Sequence, residues 1–132
     1  MIFVDTSVWV AFFRGRTPEV AAELRRLLDD DQVAVPVPVR AELLSGASLD
    51  GQARIKRSFA ALPTFFPSRD TWALLDNWIA RATRARERFG VGDMLIGALA
   101  AERGGRVWSA DDDFTRMSRL GLLRIHRPGR AD

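Results

Sequence analysis

The stretch at residues 2–7 constrains the fold more than any other part of the chain. It opens with a β-branched and aromatic run bounded by polar residues, which is typical of a short buried central strand. The run ends on an acid, Asp5, followed by the hydroxyls of Thr6 and Ser7 and then by an apolar segment at helical spacing. Open α/β sheets bind their ligands at the carboxyl ends of their strands. We therefore predict that Asp5 is the first ligand of a metal site, to which the fold brings later acids.

The rest of the chain alternates short apolar runs with longer segments of helical periodicity. Further strands are predicted at residues 32–35, 106–109 and 122–126, with an edge strand at 64–66. One helix follows the first strand, another begins at Pro18, and more are predicted at 39–45, 49–62, 69–88 and 93–103 and after Asp113. Strands that alternate with helices over short connections predict an α/β domain with a mostly parallel sheet.

Two of these helices have informative apolar patterns. The helix predicted at 69–88 places Trp72, Leu75, Ile79 and Ala82 along one side. The helix predicted at 93–103 is apolar nearly all round, which indicates that it packs deep in the domain.

Composition limits the kinds of site and compartment. A chain of 132 residues fits one domain, which we expect to span 1–132 with a loose tail from about Arg127. The absence of cysteine excludes disulfides and thiolate metal sites, so any metal must be a hard cation held by oxygen. No apolar run reaches about 18 residues, and no basic-then-apolar leader opens the chain, so we expect a cytoplasmic protein without a membrane partner.

Basic residues are concentrated in the second half of the chain. Net charge is +3, and residues 67–132 carry 12 bases and 9 acids. This balance favours a polyanionic partner. The arginines that suit phosphate contacts are Arg81, Arg84, Arg86, Arg88 and, near the end, Arg116. The alternative is a solvated helix face on which these arginines pair with Glu87.

Four of the 17 acids fit poorly with loops, helix first turns or solvated faces. Asp5 follows the first strand, where an N-cap role is the alternative. Glu42 lies one turn into a helix, and pairing with Arg40 on a partly exposed face is its alternative. Asp93 precedes the most apolar helix, either as a cap or as a carboxylate kept ionised by that helix N-terminus. Asp111 ends a predicted strand in a run of three aspartates, for which a solvated turn is the alternative.

Gathered at one sheet edge, such acids would repel one another. At an effective dielectric near 20, two unit charges about 4 Å apart cost roughly 4 kcal/mol. Protons or a cation must offset that cost, and oxygen ligands alone select Mg²⁺ or Mn²⁺. Elsewhere, His126 is predicted to be a strand or surface residue rather than a catalytic base, and Glu23 and Glu87 are assigned to solvated helix faces.

Four short segments together resemble a known family. They are Val-Asp-Thr-Ser-Val-Trp at 4–9, Ala-Glu-Leu-Leu-Ser-Gly at 41–46, Gly-Asp-Met-Leu-Ile-Gly-Ala at 92–98 and Ser-Ala-Asp-Asp-Asp-Phe at 109–114. In order and spacing the chain resembles PIN-domain ribonucleases of the VapC type, toxins of bacterial toxin–antitoxin pairs. The resemblance implies a three-layer α/β/α sandwich with a central parallel sheet.

The same resemblance implies roles for individual residues. Asp5, Glu42, Asp93 and Asp111 would bind Mg²⁺ or Mn²⁺. The residues that would assist are Thr6 or Ser7 and Ser109 by hydrogen bonding, and Asp113 as a further acid. Ser109 stands where threonine is more usual in the family, and its hydroxyl is retained.

The implied activity is metal-dependent hydrolysis of RNA phosphodiester bonds. The implied partners are RNA, a VapB-like antitoxin that lays a helix in an apolar groove, and a second copy in a homodimer. The candidates for groove or dimer surface are Trp9, Phe12, Phe13, Phe65 and Phe66, with core packing as the alternative. Two other functions stay open, namely an inactive PIN-like RNA-binding module and a metal-dependent phosphatase or phosphotransfer domain.

Overall fold

The computed structural model describes residues 1–129, and within them five parallel strands form one sheet. These strands are β1 (Ile2–Val4), β2 (Val33–Pro36), β3 (Thr64–Phe65), β4 (Arg106–Trp108) and β5 (Arg124–Ile125). Their order across the sheet is β3-β2-β1-β4-β5, so β1 is the central strand. The register places Phe3 beside Ala34 of β2 and beside Val107 of β4.

Helices connect the strands and flank the sheet. In the same described range they are α1 (Thr6–Arg14), α2 (Pro18–Asp29), α3 (Val37–Ser45), α4 (Leu49–Phe59), α5 (Arg69–Arg84), α6 (Val91–Glu102) and α7 (Asp112–Arg119). The chain enters α1, α3 and α7 within a few residues of the carboxyl ends of β1, β2 and β4. The prediction of an α/β domain with a parallel sheet is therefore confirmed.

Several predicted helix boundaries were wrong for local backbone reasons. Helix α5 ends at Arg84 rather than at 88, because Arg86 adopts a left-handed conformation with φ 59° that helix cannot accommodate. Helix α6 begins at Val91, with Gly90 as its N-cap residue. Asp93 therefore lies inside the first turn and does not cap the helix.

Prolines and turns shift other predicted elements. Helix α3 begins at Val37, two residues earlier than predicted, because proline is tolerated in the first turn of a helix. Helix α4 ends at Phe59 rather than at 62, and β4 and β5 are shorter than predicted. The tail predicted to be loose lies partly at residues 130–132, which are outside the described residues.

The core lies on both faces of the central strand. Phe3 and Val4 are fully buried, and α6 is buried along most of its length, which confirms its predicted position. Its approach to neighbouring elements is close, since a Cβ added at Gly97 would lie 2.6 Å from Leu123 Cδ2. A larger residue at this position would require the side chain of Leu123 to shift.

The predicted apolar side of α5 was partly wrong. Leu75, Trp78 and Ala82 are buried, whereas Trp72 is 49% exposed and Ile79 is 43% exposed. Helical periodicity predicted that one side of α5 is apolar but did not identify which residues on that side face the core. Trp78, and not Ile79, packs against Gly97 of α6. Among residues 1–129, no helix has both the length and the apolar character needed to cross a membrane.

Candidate metal centre

Asp5 is a buried carboxylate held by two serine hydroxyls. It is 5% exposed at the end of β1, and its Oδ2 accepts hydrogen bonds from Ser7 Oγ at 2.9 Å and from Ser109 Oγ at 2.7 Å. Asp5 occupies the N-cap position of α1, but its side chain makes no capping hydrogen bond. Position alone suggested a cap, and the contacts assign the carboxylate to the sheet edge instead.

The parallel pairing of β1 with β4 brings Ser109 and Asp111 to this edge. The Asp5 backbone N–H donates to the Trp108 carbonyl at 2.9 Å, which continues the ladder beyond β1. Ser109 Oγ, besides donating to Asp5, accepts from the Asp111 backbone N–H at 2.9 Å. The hydroxyl predicted to assist thus links the ends of the two strands, and Asp111 lies on the edge where it was expected.

Asp111 and Asp113 face the first turn of α6 across the site. One carboxylate oxygen from each of Asp93, Asp111 and Asp113 lies within 4.8 Å of the other two. Asp111 Oδ1 also accepts from the Asp113 backbone N–H at 2.9 Å as the N-cap of α7, and this bond fixes the turn. Asp113, predicted only as a supporting acid, is therefore a full member of the cluster, whereas Asp112 does not belong to this group of three.

The charges in this cluster act strongly on Asp93. Burial has the largest effect, and together with the charges of Asp5, Asp111, Asp113 and Glu42, in that order, it raises the pKa of Asp93 to about 6. A carboxylate surrounded by carboxylates at the end of a sheet is poorly stabilised without a cation.

Glu42 closes the site from α3. Its Oε2 accepts a hydrogen bond from Thr6 Oγ1 at 2.7 Å, in contrast to the alternative of pairing with Arg40. Its Oε1 lies toward the start of α6, because a Cβ added at Gly92 would be 3.6 Å from that oxygen. Of the four acids predicted from sequence, Asp93 and Asp111 belong to the group of three close carboxylates, and the charges of Asp5 and Glu42 act on Asp93 from beside it. Thr6 donates to Glu42, and Ser7 donates to Asp5.

The predicted RNA-binding arginines divide into two groups. Arg84, Arg86 and Arg88 are exposed at and after the end of α5. Arg81 donates to the Leu120 carbonyl at 2.7 Å. Arg116 is bonded to the carboxylates of Glu87 and Asp113.

A second carboxylate, Glu23 of α2, was wrongly assigned to a solvated face. It is 9% exposed and accepts hydrogen bonds from Arg26 Nε at 2.7 Å and Arg26 Nη2 at 3.2 Å. Its Oε2 lies 2.8 Å from Nε2 of His126, which is buried just after β5. The hydrogen bond from Arg26, helped by that with His126, holds the pKa of Glu23 below its usual value in spite of burial.

The aromatic candidates for a partner surface lie in different environments. Trp9 is 1% exposed and belongs to the core, where its ring centroid is 4.6 Å from that of Phe59. Phe12, Phe13 and Phe65 are partly buried against the core. Phe66 is 65% exposed.

The donor set of the acidic cluster suits one class of ligand. All its side-chain donors are carboxylate or hydroxyl oxygens, which hard divalent cations prefer. After burial, the charges of the neighbouring carboxylates are the next cause of the raised pKa of Asp93, so these acids repel one another. A divalent cation would remove that repulsion, so the residues fit such an ion.

Comparison with known proteins places this architecture among described relatives. The sequence model of the PIN domain family matches residues 2–120. Ribonuclease VapC11 of Mycobacterium tuberculosis is 35% identical over 132 residues, covering 94% of this chain and 96% of that protein. The structure of VapBC-5 from M. tuberculosis, a member of the VapBC family of toxin-antitoxin systems, has a TM-score of 0.69 at 26% identity, covering 95% of this chain and 96% of that one.

A more distant structure supports the fold alone. VapBC2 from Rickettsia felis, solved bound to a DNA fragment from its promoter, has a TM-score of 0.79 at 17% identity, covering 96% of this chain and 98% of that chain.

Proposed function

The chain belongs to the PIN domain family, and on that premise we propose that it is an endoribonuclease toxin of the VapC type. It hydrolyses RNA phosphodiester bonds with Mg²⁺ or Mn²⁺ and is inhibited by a VapB-like antitoxin. PIN-domain nucleases generally use a divalent metal, and 35% identity to a VapC ribonuclease over 94% of the chain supports the same activity here. The observation that carries the proposal is the convergence of carboxylates around Asp93, whose pKa is raised to about 6.

Four aspartates would hold the ion. They are Asp5, Asp93, Asp111 and Asp113. When bound, such an ion activates water and offsets the negative charge that builds on the phosphate during hydrolysis. Ser7 and Ser109 hold Oδ2 of Asp5 and so fix the orientation of its carboxylate.

Glu42 would serve both the ion and the water. Its Oε2 accepts the Thr6 hydroxyl, which leaves Oε1 on the side of Gly92 and α6. We assign to that oxygen the orientation of the attacking water, because it lies at the rim of the cluster and Glu42 is exposed. Thr6 thereby sets the angle at which Glu42 faces the substrate.

The site disfavours a phosphotransfer reaction through Asp5. A phosphorylated aspartate must present a free carboxylate oxygen to an incoming phosphate. Asp5 is 5% exposed, and two hydroxyls donate to its Oδ2. Burial limits the access of a phosphate to Asp5, and the two hydroxyls fix the carboxylate, so it suits a fixed ligand better than a nucleophile.

Two surfaces suit the proposed protein partners. For the antitoxin helix we propose an apolar groove between α1 and α4, a cavity of about 310 Å³ whose lining includes Val10, Phe13, Ala47 and Ile55. For the homodimer we propose the exposed apolar side chains Trp72, Ile79 and Val91 on α5 and at the start of α6. We place this activity in the cytoplasm, where a VapC-type toxin would meet its RNA.

RNA cleavage by the purified protein tests the proposal. We expect cuts at a few sites in the presence of Mg²⁺, identified by mapping the new 5′ ends, and their loss with EDTA or in Asp5→Asn. Asp76→Asn, which changes an exposed acid of α5, is the matched control and keeps full activity. Cleavage that persists in EDTA or in Asp5→Asn would contradict the proposal.

Two other outcomes would favour the competing functions. Binding of RNA and Mn²⁺ without any cleavage would favour an inactive binding module. A trapped phospho-aspartate would favour phosphotransfer.

A further inference from the structure

Arg116 of α7 reaches the edge of the acidic cluster and is held there on three sides. Its Nη2 donates to Asp113 Oδ1, and its Nη1 donates to Glu87 Oε2. Its guanidinium lies over the ring of Phe89, 5.0 Å from the ring centroid. Hydrogen bonds at two ends of a planar group and a ring beneath it leave the side chain little rotational freedom.

These contacts separate Arg116 from the arginines suited to RNA. Its side chain is 38% exposed, and both carboxylates it contacts are themselves only 29% exposed. The hydrogen bond to Asp113, together with the charges of both acids, raises the pKa of Arg116, so the guanidinium is firmly cationic. Both terminal nitrogens already donate to carboxylates, which leaves Arg116 fewer donors for an RNA phosphate than an exposed arginine has.

We propose that Arg116 is a positioning residue that fixes Asp113 beside Asp93 and Asp111 in the geometry a divalent ion requires, and that Glu87 holds Arg116 in place. The inference rests on the proposed function, since it assumes that these aspartates bind a metal. With one oxygen of Asp113 engaged by Arg116, the other is available to the ion. Glu87 also offsets the positive charge of Arg116, which would otherwise oppose an approaching cation.

A role through charge alone and a positioning role predict opposite changes in cation affinity when Arg116 is removed. If Arg116 acted only through its charge, its removal would leave the cluster more negative and bind cations more tightly. If it positions Asp113, its removal frees that carboxylate to rotate, and cations bind more weakly. Partners that orient a metal ligand typically change affinity by roughly 10- to 100-fold when they are removed.

Mn²⁺ titration of the RNA-free protein, followed by electron paramagnetic resonance, decides between these predictions. We expect Arg116→Met to weaken Mn²⁺ binding by roughly 10- to 100-fold. We expect Arg116→Lys to restore only part of the Mn²⁺ affinity, because lysine keeps the positive charge but lacks the two terminal nitrogens that contact Asp113 and Glu87 at once. Arg103→Met is the matched control, because Arg103 also lies over a phenylalanine ring but follows the far end of α6 from Asp93. It should leave Mn²⁺ affinity unchanged.

Kinetics and a second variant guard against a trivial loss of folding. In Arg116→Met we expect kcat at saturating RNA and limiting Mg²⁺ to fall while KM for RNA holds. Glu87→Gln keeps an oxygen that can accept a hydrogen bond from Arg116 but removes the charge that strengthens it. This variant should weaken Mn²⁺ binding by a smaller factor than Arg116→Met. Thermal unfolding verifies that each variant is folded. If Arg116→Met is not, Arg116→Lys decides, because it keeps the charge: an effect of charge alone predicts unchanged Mn²⁺ binding, and positioning predicts weaker binding.

The failure of this inference differs from the failure of the proposed function. Equal or tighter Mn²⁺ binding in Arg116→Met, or a raised KM for RNA with unchanged Mn²⁺ affinity, overturns the positioning role and leaves the nuclease assignment standing. Wild-type protein that binds no Mn²⁺ overturns both.

Discussion

Two groups of poorly exposed carboxylates in this molecule have opposite surroundings. Glu23 has hydrogen bonds from Arg26 and lies within hydrogen-bond distance of His126, and its pKa is lowered. Asp93 lies among other acids, and its pKa is raised to about 6. The first carboxylate is more stable ionised in the folded protein than in water, and the second is less stable.

The contrast separates a structural acid from a ligand-binding one. Glu23 ties α2 to the residue that follows β5, so its charge stabilises the fold. The ionised carboxylate of Asp93 destabilises the fold until something neutralises it, which is the expected cost of a preformed cation site. Variants at the two groups should therefore affect stability and activity in opposite ways.

The largest expected effect is that of Asp93→Asn on RNA cleavage. Loss of a metal ligand removes several kcal/mol of transition-state stabilisation, which corresponds to at least about a 100-fold loss of kcat/KM. In EDTA the same variant should unfold at a higher temperature than wild type, because it removes one of the mutually repelling charges. Single-turnover cleavage and calorimetry measure the two effects, and Asp76→Asn should change neither. A variant that loses both activity and stability would mean that Asp93 is structural.

Glu23→Gln should produce the reverse pattern. The amide keeps the size of the side chain but loses charge-assisted hydrogen bonds, so we expect the free energy of unfolding to fall by about 1–3 kcal/mol. Cleavage well below the melting temperature should be unchanged. Urea denaturation measures the loss, with Glu19→Gln on the exposed face of α2 as the control. A loss of cleavage without a loss of stability would remove the distinction between the two groups.

The pH dependence of stability should show both signs in one molecule. The unfolded chain releases the Asp93 proton near pH 3.8 and the folded one near 6, so the folded state binds more protons between these values. In metal-free protein, this group's contribution to stability is therefore present at low pH and is lost as pH rises through that window. Glu23 acts in the opposite sense, because its contribution is present above pH 4.5 and is lost as pH falls through its lowered pKa.

Melting temperatures measured in EDTA across this pH range test the difference. The curve of Asp93→Asn should lack the decline toward pH 6 that we expect in wild type. The curve of Glu23→Gln should lack the loss expected at acid pH. Parallel curves for all three proteins would contradict the pKa directions.

The smallest expected effect is that of the exposed arginines on RNA binding. Like the acids, the arginines include a residue that is paired with opposite charges and others that are not known to be paired. Arg116 is bonded to carboxylates, whereas Arg84, Arg86 and Arg88 are exposed. Replacing the three exposed arginines with Met should reduce the slope of log affinity for single-stranded RNA against log salt by about 2, at about 0.7 per phosphate contact. Fluorescence anisotropy in EDTA measures the slope, and Lys56→Met with Arg57→Met is the control. An unchanged slope would exclude these arginines from the RNA path.

The positions of acids that directly follow strands were easier to predict from the sequence than that of Glu23, whose surroundings depend on tertiary contacts. Asp5 and Asp111 follow β1 and β4, and the parallel order of the sheet was enough to bring them to one edge. Helix ends were less predictable, because the left-handed residue at Arg86 and the early start of α6 depend on backbone choices that apolar periodicity does not encode.

Contacts between distant segments were the least accessible to sequence analysis. Glu23 and His126 are 103 positions apart. Glu23 was assigned to a solvated face and His126 to a strand or the surface, and neither prediction paired the two. Pairing with Glu87 was the alternative given for all five arginines, and nothing in the sequence singled out Arg116, although the spacing of Asp113 and Arg116 within one helical turn was a usable signal.

Anomalous X-ray scattering from crystals grown with Mn²⁺ tests the central claim most directly. The account predicts a Mn²⁺ peak at coordination distance from the carboxylates of Asp93 and Asp111 and within the site that Asp5 completes, and no such peak in Asp93→Asn. Saturating Mn²⁺ with no peak between these carboxylates, or with Glu42 and Asp93 turned away from Asp5, would contradict it.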